Sequence, residues 1–271
     1  MASSGGEPGE LRCAVAQWRS VPPFALRICA SVPLRICLPD TLLATSLPVT
    51  RLIEAVLLDV DGTLVDSNDK HAHCWVEAFA HFGKDVEWDV VRRQIGKGCD
   101  LLVPDTLNAR EMRRFGETLQ EYRGDLWKRR YMKTVEPFAG AVDAIRALHR
   151  EGIHIALASS SNPDEVEYYV ELLGVGDLLE GTTSKEDAES SKPSPEIFQA
   201  AVERLKSDPA RTLAVGDTPY DILAAHRVPV AVAAVLTGGF ARELLTKAEF
   251  LFDDVASIPK ELDRIDDYFR E

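Results

Sequence analysis

The sequence predicts an α/β fold, a Rossmann-like parallel sheet with helices on both faces, carrying one inserted all-helical segment. Three observations predict it. From residue 137 onward, short apolar runs alternate with amphipathic helical stretches, the order that builds a parallel sheet. One further apolar run, residues 53–58, stands alone ahead of them. Between these parts, residues 68–136 show only helical periodicity. The expected division is a core of 51–66 and 137–271, a helical insert of 67–136, and a segment 1–50 outside the fold.

Each element has its own signal. Residues 53–58 are apolar except for Glu54 and end in Asp59-Val60-Asp61-Gly62-Thr63, as a strand buried on both faces ends in a glycine turn. In the insert, Cys74, Val76, Phe79 and Ala80 share one helix face. Met112, Phe115, Leu119, Tyr122 and Leu126 recur at spacings of three and four, which predicts a long amphipathic helix. Pro137 and Gly140 close the helical block. A helix over 141–151 stops at Gly152, and a strand over 153–158 runs into Ser159-Ser160-Ser161. Asn162-Pro163 opens a helix over 164–173, ended by Gly174. A weak strand over 178–183 leads to Ser191-Lys192-Pro193, and Ser194 is expected to cap a helix starting at Pro195. A strand over 212–215 ends in Gly216-Asp217, and Pro219 opens the next helix. A strand over 230–236 and an edge strand over 250–252 complete the pattern.

Composition narrows the class. The 271 residues are 45% hydrophobic and 28% charged, with a net charge of −13, the profile of an ordinary globular chain. No stretch approaches the roughly 20 apolar residues of a membrane span, so no membrane role is expected. The acidic balance argues against nucleic acid as a partner. The insert is nearly neutral, with thirteen Lys/Arg against twelve Asp/Glu. Residues 1–50, rich in proline and lacking lysine, read as a disordered extension, with organelle targeting as the less favoured alternative. Five cysteines without a Cys-x-x-Cys imply neither a disulfide framework nor a zinc site, so a cytoplasmic location is expected.

Ligands of open parallel sheets bind beyond the carboxyl ends of the strands. Those ends carry Asp59 and Asp61, then Ser159, then Lys192, then Asp217 and Asp221. Crowded carboxylates repel one another unless a cation joins them, and hard oxygen donors suit Mg²⁺ completed by water and phosphate oxygens. Ser159 and Lys192 are placed to hold the remaining phosphoryl oxygens. A calcium loop is excluded, because an EF-hand would need glycine at Leu64 and glutamate at Lys70.

This ordered set closely resembles the four motifs of the haloacid dehalogenase (HAD) superfamily, in the branch with a helical cap inserted after the first strand. The resemblance spans roughly residues 52–255. It implies that Asp59 is the nucleophile forming an aspartyl-phosphate and that Asp61 is the general acid and base. It further implies phosphate contacts from Thr63, Ser159 and Lys192. Mg²⁺ would be bound by Asp59, the Asp61 carbonyl, Asp217 and Asp221. Asp61 argues against carbon–halogen chemistry, since the founding dehalogenases lack an acid there. None of Lys70, Lys84 and Lys97 is singled out as the Schiff-base lysine of phosphonoacetaldehyde hydrolases. His71 and Trp75 match residues of the β-phosphoglucomutase cap hinge, but no Arg follows Gly96-Lys97-Gly98-Cys99-Asp100 where that mutase carries one. The loop over 96–100 is expected to face the active site, with Lys97 meeting a substrate anion. Val228-Pro229 stands where relatives commonly place Ala-Gly. The implied activity is hydrolysis of a small phosphorylated metabolite of phosphoglycolate or sugar-phosphate type, with a sugar phosphomutase as the alternative. The sequence leaves the oligomeric state unknown.

Overall fold

The computed structural model describes residues 51–270, so the expectations for residues 1–50 lie outside it. The core is one sheet of six parallel strands. They are β1 (Ala55–Leu58), β2 (His154–Ala158), β3 (Gly181–Thr183), β4 (Thr212–Gly216), β5 (Ala231–Val235) and β6 (Phe250–Phe252), in the spatial order β3-β2-β1-β4-β5-β6. The order reverses direction at β1, so the crevice between the ends of β1 and β4 is where such a sheet takes its ligand. Strand alternation assigns the faces. Val56 and Leu58 pack with helices α5 (Ala141–Arg150), α6 (Pro163–Leu173) and α9 (Leu262–Tyr268). Leu57, Ala156 and Ala158 pack with α7 (Glu196–Leu205) and α8 (Pro219–Ala225).

The segment between β1 and β2 is helical, as its periodicity predicts. It holds α1 (Asn68–His81), α2 (Trp88–Arg92), α3 (Cys99–Thr106) and α4 (Ala109–Leu126) before α5 begins. Asn108 starts α4 with a reciprocal capping box, its Oδ1 accepting from the Glu111 amide while Glu111 accepts from the Asn108 amide. These helices have their own apolar centre around Trp75, Phe79, Leu102, Val103 and Leu119. Cys74, Leu126 and Trp127 belong instead to the core cluster, so α1 and the end of α4 join the two parts.

The chain crosses between the two parts twice, and the crossings are bonded to each other. Val65 forms an antiparallel bridge with Pro137. The Asp66 amide donates to the Glu136 carbonyl at 2.9 Å, and the Phe138 amide to Leu64 at 2.9 Å.

One local expectation shifts. Helix α7 begins at Glu196 with Pro195 as its N-cap, because Glu196 occupies Ser194 by accepting its hydroxyl at 2.9 Å. At Val228-Pro229, where relatives commonly place Ala-Gly, the backbone of residue 229 has a positive φ, the region glycine favours.

Candidate active site

The site begins where β1 ends. Asp59 follows the last residue of β1 with its amide bonded to the Val215 carbonyl of β4 at 2.9 Å, which fixes its position across the crevice. Gly62, at φ +83°, makes the turn that follows. A Cβ there would collide with Asn68 and Asp217, so the close approach also requires glycine. From β4 come Asp217 and, one helical turn on, Asp221 in the first turn of α8. One carboxylate oxygen from each of Asp59, Asp217 and Asp221 lies within 4.8 Å of the others, and all three residues are buried.

A single lysine balances them. The fully buried Lys192 donates to Asp59 Oδ1 at 2.5 Å, stands 2.8 Å from Asp221 Oδ1, and donates to the Ala158 carbonyl at 3.0 Å. Burial works against its charge, but Asp221 and Asp59 outweigh that and raise its pKa. Burial pushes Asp59 up to about 7, with Lys192 opposing and Asp221 adding to the rise. Burial, then Asp59 and Asp221, carry Asp217 well above its ordinary value. Three buried carboxylates facing one ammonium leave a surplus of negative charge, and the donor set fits a hard divalent cation.

Around these groups, hydroxyls and amides fix the carboxylates. Thr63 Oγ1 lies between Asp59 Oδ2 at 3.1 Å and Asp217 Oδ1 at 3.3 Å. It orients two carboxylates. Asn68, which sequence reasoning did not single out, donates to Asp217 Oδ2 at 2.7 Å and to the Gly238 carbonyl at 3.2 Å.

Asp61 faces a different set of partners. Its Oδ1 accepts from Ser67 at 2.6 Å and from His71 Nε2 at 3.0 Å, and its Oδ2 accepts from Ser161 at 2.8 Å. Burial alone would raise its pKa. The His71 ring and the two hydroxyls outweigh that and hold the carboxyl well below the usual carboxylate range. Its side chain is therefore committed away from the Asp59–Asp217–Asp221 cluster. His71 stacks on Trp127 at 3.7 Å between ring centroids, and its Nδ1 accepts from the Arg123 guanidinium. That acceptance leaves the Nε2 hydrogen pointing at Asp61.

These residues open onto a cavity of about 200 Å³, walled by both the core and the helical segment. Asp59, Asp61, His71, Lys97, Lys192, Asp217 and Asp221 reach it. Ser159 does not. Its amide continues the sheet ladder to Thr183, and its Oγ accepts from the Ser161 amide at 3.1 Å. Past the end of the strand, Ser160 and Ser161 stand on the wall. Ser160 Oγ is buried there without a hydrogen-bond partner. Lys97 lines the cavity, but its ammonium is paired with Asp105 at 2.6 Å. Arg123, Gln120, Glu165 and Lys185 also line it, and none of them was picked out from the sequence.

Residues 53–228 match the family model of haloacid dehalogenase-like hydrolases. Pyrophosphatase PpaX of Halalkalibacterium halodurans is 26% identical over 68% of this chain and 83% of its own length. Validoxylamine A 7'-phosphate phosphatase of Streptomyces hygroscopicus is 24% identical over 76% of this chain and 96% of its own length. A solved hydrolase from Pseudomonas syringae superposes with a TM-score of 0.70 at 25% identity, covering 78% of this chain and 99% of that one. Fold and site together define an α/β hydrolytic enzyme. The chain belongs to the haloacid dehalogenase-like hydrolase family, as its motifs imply.

The raised carboxylate gives a pH-dependent stability that can be measured without metal. The folded state binds a proton at Asp59 up to about pH 7, whereas the unfolded chain releases it near 3.8. Folded Asp59 thus holds more protons across that window, and its contribution to stability falls as pH rises from about 4 to 7. In EDTA, the stability of wild type relative to Asp59→Asn should fall across this range. Added Mg²⁺ should remove the fall. Urea midpoints of both proteins read it, and a relative stability that climbs with pH would contradict the assignment.

Proposed function

We propose that this enzyme is a Mg²⁺-dependent phosphatase that hydrolyses a small phosphorylated metabolite through an aspartyl-phosphate on Asp59. The observation that carries the reading is the pairing of two unlike carboxylates on one cavity. Asp59 is bound to Lys192 beside Asp217 and Asp221, and Asp61 is held by Ser67, His71 and Ser161. The domain division is part of the reading, with residues 67–136 as a cap over a core of 51–66 and 137–271.

Asp59, Asp217 and Asp221, with the Asp61 carbonyl, would hold the ion. Bound Mg²⁺ supplies positive charge that offsets the carboxylates and the substrate phosphoryl group. An Asp59 carboxylate oxygen attacks phosphorus, the ester P–O bond breaks, and the leaving oxygen takes a proton from Asp61. The dianionic phosphoryl group, arriving beside Asp61, provides the upward push its pKa needs for that role. In the second step Asp61 takes a proton from water, whose oxygen attacks phosphorus and frees Asp59 and phosphate. Lys192 and the unpartnered Ser160 hydroxyl face the cavity where phosphoryl oxygens would sit. The cavity volume of about 200 Å³ is below the roughly 300–1,000 Å³ of sites for drug-sized ligands, which favours a small substrate. Among the described residues Cys74 and Cys99 are free thiols, which accords with a cytoplasmic setting. No helix among the described residues is long and apolar enough to cross a membrane.

A panel of phosphorylated metabolites tests the reading by phosphate release with Mg²⁺ and with EDTA. Release that needs Mg²⁺ is the expected result, and metal-independent release would overturn it. The His71–Asp61 contact also suits a phosphomutase. A sugar phosphate isomerised faster than it is hydrolysed, with a bisphosphate primer present, would move the assignment there.

A further inference from the structure

The cations of the cavity differ in what already holds them. Lys192 is taken by Asp59 and Asp221, Lys97 by Asp105, and Lys185 stands 3.0 Å from the Cys99 sulfur. Among the described residues neither Lys185 nor Arg123 has a carboxylate within ion-pair distance, and Arg123 is the one that stands beside His71 and Asp61. Its guanidinium lies over the Trp75 ring at 5.0 Å and the Trp127 ring at 5.3 Å, with one hydrogen bond to His71 Nδ1. Among the described residues no carboxylate stands within ion-pair distance of it, and its Nε is buried without a partner. Removing a guanidinium from bulk water beside aromatic rings, without a counter-ion, leaves unmet demand for an anion.

Its location says which anion. Arg123 is separated from Asp61 by the His71 ring alone. Asp61 is the proposed donor to the leaving oxygen, so Arg123 lies on the leaving-group side. We propose that Arg123 is a specificity-determining residue that binds a second anionic group, a carboxylate or a phosphoryl group, carried by the leaving group of the substrate. This rests on the phosphatase reading for its orientation and names the substrate class within it. Arg123 lines the cavity between the two aromatic rings, and a guanidinium can meet planar or tetrahedral oxyanions with two hydrogen bonds. A substrate without the second anion would leave the Arg123 charge unanswered and bind less well.

Three unreactive probes test this with Mg²⁺ in excess: methylphosphonate, phosphonoacetate and methylenebisphosphonate, measured by calorimetric titration. Wild type should bind one or both of the two-anion probes about 10- to 100-fold more tightly than methylphosphonate. Whichever is preferred identifies the carboxylate or the phosphoryl source. Arg123→Met should collapse that preference, and Arg123→Lys should retain part of it. Equal affinity for all three probes in wild type would overturn the assignment. So would Arg123→Met weakening all three by the same factor, the sign of a purely structural role through His71. The readout is independent of turnover, so a preference in wild type together with no phosphate release would end the phosphatase reading and its leaving-group assignment, and leave the contact of Arg123 with a second anion standing.

Discussion

Asp59→Asn should lower phosphate release by at least about 10⁴-fold, the scale seen when a covalent nucleophile is removed. The amide keeps the volume and can still sit beside Lys192, but its oxygen is too weak a nucleophile to attack phosphorus. Loss of activity should come without loss of fold. The substitution removes one of three buried carboxylates that lie within 4.8 Å of each other, so the metal-free protein should be no less stable than wild type above pH 7. A malachite-green assay and a urea melt separate the two effects. Activity within tenfold of wild type would remove Asp59 from the reaction.

Lys192→Met should have the largest effect on stability. The ammonium is fully buried, donates to Asp59 at 2.5 Å and the Ala158 carbonyl, and stands 2.8 Å from Asp221. Breaking a buried ion pair by removing one partner costs about 3–5 kcal/mol, because the orphaned charge stays buried. Here three carboxylates would be left with no cation among them. The metal-free variant should therefore unfold at clearly lower denaturant, and Mg²⁺ should recover part of the loss by restoring positive charge. Phosphate release should fall with Mg²⁺ present as well, since Lys192 faces the cavity beside the nucleophile. A variant as stable as wild type in EDTA would show that Lys192 does not carry the charge balance described above.

Much of the sheet and the charged centre was legible because they follow from strand ends. An apolar run buried on both faces has one direction and one exit, so Asp59, Asp217 and Lys192 could be placed on a common edge from order alone. The serines show where that logic stops. Three follow β2 in succession, and chain order alone does not say that it is Ser160 and Ser161 that line the cavity. Asn68 was missed because its partner Asp217 lies 149 residues away in the chain. Arg123 had a readable signal that went unused. It falls between Leu119 and Trp127, four residues from each, and so puts a charge on the buried stripe of an amphipathic helix. A charged residue in that register has to meet something on the inside. The pairing of Lys97, just before α3, with Asp105 near the end of that helix carried no such pattern.

The twin crossing between core and helical segment has a consequence for the two carboxylates. Bonded to each other through Val65–Pro137 and Asp66–Glu136, the crossings form one ribbon. Ser67 and His71 lie immediately beyond it and donate to Asp61. Asp59 takes its place instead from β4 and Lys192. The two carboxylates are thus aligned by separate parts of the chain, and a substitution at the ribbon should reach the proton donor and leave the nucleophile in place.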